Sequence, residues 1–408
     1  MAALLAMPAV AAATDVTRTL GPGAWSWFGE PRALDYGNRV YAGWVDPTGR
    51  VTVGSFDDRS GSRIDLARMS KVDDHDSPSL QLRPDGRLTV FYSHHADSFI
   101  HFRTTLRPRD IGEWGAPQTV RTARWGKWGN TYPSPVWLPR ENRLWLFWRG
   151  SDWSPAFSRA SWDGRWSRPR RLMRAPGQRP YVKYVSNGRD AIHMAFTQGH
   201  PREARTGIYY AVYRRGAFYR ANGRRLARMR DLPFRPSRAD KVHDGRRGRR
   251  AWVHDIALDR SGRPVIVYAT LHSRRRHYYR YARWTGKRWR TWPIVAAGGS
   301  ISGGRERFYS GGVALHPGDP SRVYLSRATG GVHRLEEWRT PNRGRSWSWV
   351  TTLPGSGGGN YRPVVPRGTF ATSGQVLWMG GRYGSYRRFG TSIFGRFTAT
   401  LRPEYVLP

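Results

Sequence analysis

Cysteine is absent from all 408 residues, so disulfides and thiolate metal centres are excluded. Acidic residues are scarce, 29 against 69 lysines and arginines, which leaves a formal charge of +40. Carboxylates so few and scattered offer no recognisable pair for glycoside hydrolysis. No stretch carries a sustained helical period with caps, and no apolar run reaches the length of a membrane span. Gly-x-Ser-x-Gly, His-Glu-x-x-His and P-loop motifs are all missing.

What is present is the material of an all-β chain. Aromatics make up 13% of the residues, and 46 glycines and 28 prolines punctuate them. Short runs rich in Val, Ile, Tyr, Phe and Trp recur between turn residues: Arg39–Trp44 and Arg50–Phe56 across Asp46-Pro47-Thr48-Gly49, then Arg87–Tyr92, Arg143–Trp148, Ala191–Thr197, Gly207–Tyr213, Pro264–Ala269, Arg322–Ser326, Val376–Gly380 and Thr391–Phe394. The basic runs Arg246–Arg250 and Arg274–His277 read as solvated loop tips. The first thirteen residues, apolar and ending in Ala-Ala-Ala, resemble the end of a secretory signal, so residues 14–408 are expected to form one domain of a secreted protein.

The charge speaks to association. An excess of 40 positive charges concentrates polyanions, and an anionic polysaccharide, a cell envelope and nucleic acid are the candidates, the last without sequence specificity.

A turn motif repeats. Thr340-Pro341-Asn342-Arg343-Gly344-Arg345-Ser346-Trp347 fits the Asp-box pattern of sialidase-type propellers, Ser/Thr-x-Asp-x-Gly-x-x-Trp, with Asn in place of Asp. Ser161–Trp166 is a partial copy, and Trp284–Trp289 and Gly112-Glu113-Trp114 are weaker echoes. Each joins two strand-like runs, as a hairpin turn whose polar side chain bonds loop amides while Trp packs between blades. Blade repetition follows, with seven blades expected and six left open by counting. The sialidase likeness stops there, because the Arg-Ile-Pro opening and a Tyr/Glu nucleophile pair are not found.

Polar residues capable of chemistry gather between Asp73 and Gly150. Asp73-Asp74-His75-Asp76 precedes one strand-like run, Phe91-Tyr92-Ser93-His94-His95 ends another, and Thr131-Tyr132-Pro133-Ser134-Pro135 leads to Phe147-Trp148-Arg149-Gly150. If His94 and His95 lie on a strand, alternation sends only one of them to a site. Consecutive acids diverge, so a catalytic metal is not expected at Asp73–Asp76, although a structural calcium ion is allowed.

These segments, with Gly23-Ala24-Trp25-Ser26-Trp27-Phe28-Gly29-Glu30-Pro31-Arg32, Phe196–Glu203, Gly216–Tyr219, Tyr309-Ser310-Gly311-Gly312 and Asn360–Gly368, resemble the BNR-repeat propeller family that includes ulvan lyases and rhamnosyl-glucuronate lyases. The resemblance implies a seven-bladed β-propeller with a site on one face. It also implies a functional set of two histidines, a tyrosine and an arginine, which fall on His75, His95, Tyr132 and Arg149. Arg32, His200, Tyr309 and Arg362 lie in similar motifs and are expected to bind substrate. The implied activity is β-elimination at a uronic acid in an anionic polysaccharide such as one containing glucuronate, by a monomer needing no cofactor. A non-catalytic lectin and a glycoside hydrolase on the same fold are the alternatives. His254-Asp255 reads instead as an inter-blade hydrogen bond.

Overall fold

The strands predicted from alternation and turn chemistry all form, and they assemble into seven antiparallel sheets around one axis. The computed structural model describes residues 15–162, 164–302 and 306–398; the signal-like run at 1–13 lies outside them. Six sheets are built from consecutive strands, the first strand of each lying innermost and, in the five four-stranded ones, the fourth outermost. The blades begin at Ala33–Tyr36, Ser79–Leu82, Thr131–Leu138, Tyr181–Ser186, Ala251–Leu258 and Val313–Leu315, and the seventh at Gly359–Val364. The fourth is widened to six strands by Ala217–Tyr219, Arg225–Arg228 and Asp240–His243.

The ring closes through the seventh blade. Its outermost strand is Val16–Pro22, pairing antiparallel with Arg388–Phe397 from Val16↔Phe397 to Pro22↔Ser392. Every blade edge is thereby either paired or placed at the rim, which manages the edge problem of open sheets. Among the described residues no helix is long and apolar enough to cross a membrane.

The Asp-box turns all fall between the third and fourth strands of a blade, as blade repetition requires. In the best copy the Thr340 hydroxyl accepts from the Gly344 amide at 2.7 Å, and the Asn342 side-chain oxygen accepts from the Ser346 amide at 2.8 Å. Trp347 meets Tyr281 of the neighbouring blade edge to face at 5.2 Å. Gly344 adopts φ 97°, and a Cβ there would lie 2.4 Å from the Tyr281 ring, so both backbone and space demand glycine. Of the Ser161–Trp166 copy, Asp163 lies outside the described residues.

The segment Trp25–Arg32 plugs the axis. Phe28 packs on Tyr132, Tyr181 and Trp252 from the third, fourth and fifth blades, while Trp27 packs on Trp252 and Tyr309. Lys183 donates to the Trp27 carbonyl and to Glu30. Arg246, Arg247 and Arg249, and Arg274–Arg276, are exposed loop residues as expected, but Arg250 is half-buried, and His277, expected in the same loop tip, is buried where it opens the strand His277–Trp284.

Candidate active site

Side chains reach the axis because inner strands bulge where they enter the mouth of the ring. Register shifts fall between Thr131 and Ser134, Val253 and Asp255, and Tyr361 and Val364. Such bulges re-aim a side chain, and they lie at Tyr132, His254 and Arg362. Tyr132 and Arg362 also adopt left-handed φ, 65° and 49°, a conformation that non-glycine residues keep only where their surroundings enforce it.

His75 sits on the one-turn 3-10 helix Asp74–Asp76 that enters the second blade. His95 lies in the loop after Leu88–Tyr92. The strand alternation expected to separate His94 from His95 therefore does not apply, since the strand ends before both. His95 is still the one that turns inward, and its ring stacks on His75 at 4.0 Å and 4°. Asp73 ties the two together: one carboxylate oxygen accepts from His75 Nδ1 at 2.7 Å and the other from His95 Nδ1 at 3.0 Å. The neighbouring acids diverge. Asp74 turns to Arg362 at 2.7 Å and Tyr383 at 2.8 Å, and Asp76 accepts from the His95 amide at 2.6 Å.

Tyr132 lies 5.3 Å from the His75 ring, and the Arg149 guanidinium lies 4.7 Å from the Tyr132 ring centre. Arg149, at the end of Arg143–Arg149, donates to Tyr181 Oη at 3.3 Å and to Thr131 Oγ1 at 3.2 Å. The four residues singled out for chemistry thus come together at one mouth of the ring.

Their electrostatics are divided. Burial alone would lower the His75 pKa, but Asp73 and Asp74 outweigh it and raise it to about 9. Burial and the charges of His75 and Arg149 lower His95 to about 4, against the pull of Asp73. The two stacked imidazoles share one carboxylate yet are driven in opposite directions, His75 toward its charged form and His95 toward its neutral one. Asp73 is burdened by burial but held far below the carboxylate range by both histidines. Burial and then Asp73 push Asp76 up to about 8. Burial raises Tyr132 well above the usual phenol range, so it is a neutral hydroxyl.

The residues expected to bind substrate are placed differently. Arg32 is buried and donates to the backbone oxygens of Ser77 at 2.9 Å, Pro78 at 2.7 Å and Phe28. Arg362 is buried against Asp74, Tyr383, the Trp25 carbonyl and the Trp27 ring. Both line a narrow axial cavity of about 30 Å³ with Lys183, Asp255 and Arg367. Their charges are directed inward. His200 packs on Trp252 at 4.7 Å and Tyr309 on Trp27 at 4.5 Å, nearer the fifth and sixth blades than the two-histidine centre. His254 bonds Ser310 at 3.1 Å, and Asp255 accepts from the Leu315 amide at 3.0 Å, the inter-blade role read from the sequence.

Contacts between side chains run full circle around the axis: His75 to Tyr132, Tyr181, Trp252, Tyr309, Trp27, Arg362, Asp74 and back to His75 at 3.1 Å. Asp73, Tyr181 and Tyr386, whose ring stands edge-on to His75 at 4.9 Å, escaped the sequence reading as site residues. Tyr181 opens an inner strand just as Tyr132 does, a positional signal visible once blades are aligned.

Among the described residues, Asp73, His75 and His95 form the group close enough to hold a metal ion, with ligand atoms within 4.8 Å of one another. Two nitrogens and a carboxylate suit a zinc-like ion and not the oxygen shell of calcium. Both Nδ1 atoms are however engaged by Asp73 itself, whose hydrogen bonds they fill without an ion.

The model of the BNR repeat-containing family matches residues 39–297. No curated protein matches the chain. Among solved structures, a PL25 polysaccharide lyase, an ulvan lyase bound to -[GlcA(1-4)Rha3S]-, superposes with TM-score 0.70 at 13% identity, covering 94% of each chain. The polysaccharide lyase Uly1 superposes with TM-score 0.55 at 11% identity, covering 95% of this chain and 99% of the other. The BP39L lectin from Burkholderia pseudomallei gives 0.50 at 10%, with coverage of 92% and 94%. At these identities the likeness is one of fold.

Proposed function

This chain belongs to the BNR repeat-containing family, and on that footing we propose that it is a secreted polysaccharide lyase cleaving an anionic, uronate-containing polysaccharide by β-elimination. The convergence of His75, His95, Tyr132 and Arg149 at one mouth of the ring carries this function.

The chemistry begins with a weakly acidic proton. Loss of the uronate C5 proton places negative charge beside a carboxylate that already bears one, so cations must offset it as the enolate forms. Arg149 supplies a planar cationic fork that matches a carboxylate. The His75 imidazolium, held charged by Asp73, supplies a second cation. His95 is the base. Its Nδ1–H is committed to Asp73, which leaves Nε2 as the lone-pair nitrogen, and its side chain is 28% exposed where that of His75 is 10%. Its low pKa keeps it unprotonated at neutral pH.

His95 Nε2 takes the C5 proton, the C–H electron pair becomes the C4–C5 double bond, and the C4–O4 bond breaks. The departing O4 takes its proton from the neutral Tyr132 hydroxyl. The products are a 4,5-unsaturated uronate and a free hydroxyl on the neighbouring sugar. Passage of the proton from His95 to the Tyr132 oxygen restores the enzyme. No step uses a metal ion. Arg32 and Arg362 act from behind, fixing the plug and the Asp74 turn.

A panel of uronate glycans tests this directly. Growth of the unsaturated uronate's ultraviolet absorbance is expected with at least one of them. Reducing ends without that absorbance would point to hydrolysis, and binding without cleavage to a lectin such as the structural neighbour BP39L.

A further inference from the structure

Two tryptophans stand on the loops that lead into and out of the site. Trp128 precedes Thr131 by three residues, and Trp153 follows Arg149 by four. Their rings stack at 4.9 Å and 15°. The Trp128 amide donates to the Ser151 carbonyl at 3.0 Å and the Trp153 amide to that of Gly150 at 2.8 Å, so backbone bonds fix the pair. Trp153 adopts φ 66°, a conformation unfavourable for a bulky residue and kept where surroundings over-determine it. A Cβ on Gly129 would fall 1.9 Å from the backbone of Ala96, the residue after His95, so the Trp128 loop presses directly on the His95 turn.

Cations flank the pair. The Arg179 guanidinium, which donates to both oxygens of the Glu203 carboxylate, lies 5.4 Å from the Trp153 ring centre, and the exposed Lys127 ammonium 5.2 Å from that of Trp128. Arg179 precedes Tyr181, which receives the Arg149 hydrogen bond, by two residues. A mere clasp between two loops would account for Trp153, which is partly covered. It would not account for Trp128, left 45% exposed beside a lysine.

We propose that Trp128 and Trp153, with Lys127 and Arg179, form a saccharide subsite adjoining the catalytic group, which takes a neighbouring sugar of the same anionic chain. The apolar face of a pyranose would cover indole surface, and a sulfate or carboxylate on that sugar would meet the exposed Lys127, while Arg179, bound to Glu203, backs the Trp153 ring. This subsite rests on the glycan-cleaving function proposed above and adds to it a requirement for substrate length.

Calorimetric titration of the full chain with ulvan di-, tetra- and hexasaccharides tests the subsite, with chondroitin and glucuronan oligosaccharides in parallel and elimination followed by absorbance on the same samples. Trp128→Ala is expected to weaken the longer oligosaccharides about tenfold, the scale of one aromatic contact, and to leave the disaccharide unchanged. Trp128→Phe should recover much of the loss, and KM for long substrates should rise with kcat held. Unchanged affinity at every length, or an equal loss for disaccharide and hexasaccharide, would overturn the subsite. Wild-type protein that binds without elimination would sink the lyase function alone, and the length dependence of binding would still decide the subsite. Failure of the wild type to bind any of these glycans would overturn both.

Discussion

His75 and His95 lie face to face, parallel to within 4° and 4.0 Å apart, with their Nδ1 atoms on opposite oxygens of Asp73. One carboxylate thus serves two imidazoles and gives them opposite characters, a fixed cation and a neutral base. Environment, not residue type, assigns the roles.

That division predicts a broad pH profile. His95 must be neutral, so kcat/KM should fall as pH drops through about 4; His75 must be charged, so it should fall again as pH rises through about 9. The His75 pKa lies above its ordinary 6.5, so its pairing with Asp73 stabilises the fold fully below 6.5 and loses that contribution as pH rises through about 9. Asp73→Asn should move the alkaline limb to lower pH. An unmoved limb in that variant would assign it to another group.

Arg149 and Tyr132 should separate in kinetics. Arg149→Ala removes the guanidinium that would face the uronate carboxylate and should cost about 10²–10³ in kcat. Tyr132→Phe keeps the ring packed on Phe28 and His75 and removes only the acid, so kcat should fall by about 10²–10⁴ with KM little changed. Steady-state elimination on one uronate glycan measures both. Near-normal turnover in Tyr132→Phe would hand the acid role to another group.

Arg362 and Asp74 form a buried pair joining the seventh blade to the second across the axis. Asp74→Ala strands that guanidinium among Trp27, Tyr383 and backbone carbonyls. Loss of one partner of such a pair costs about 3–5 kcal/mol. Denaturant unfolding should register a fall on that scale. A loss under about 1 kcal/mol, the range of surface pairs, would mean the two charges are not coupled in solution.

How far the sequence could be read depended on the range of the interaction. Strands such as Pro264–Leu271 and Arg143–Arg149 were legible because burial and turns act locally, and the Asp-box at Thr340–Trp347 because its hydrogen bonds close within a few residues. His75, His95, Tyr132 and Arg149 were reachable through their motifs. The inward turn of Arg32 and Arg362 was not, because it depends on which backbone oxygens and acids arrive from other blades. Nor could the placing of His95 come from alternation, since its strand had already ended. Asp73 escaped for the same reason as Tyr181: each matters through partners distant in sequence.

The pairing of Val16–Pro22 with Arg388–Phe397 has a consequence for synthesis. The earliest described strand of the chain waits for the last described one, so the seventh blade is the final one of the seven that can be completed. Contacts of such separation cost loop entropy before they return any stability, so ring closure carries a large entropic cost in folding. Until then the nascent protein carries six blades and an unsatisfied edge, and its mouth lacks the Arg362 that anchors the Asp74 turn under His75. The candidate site is therefore completed last.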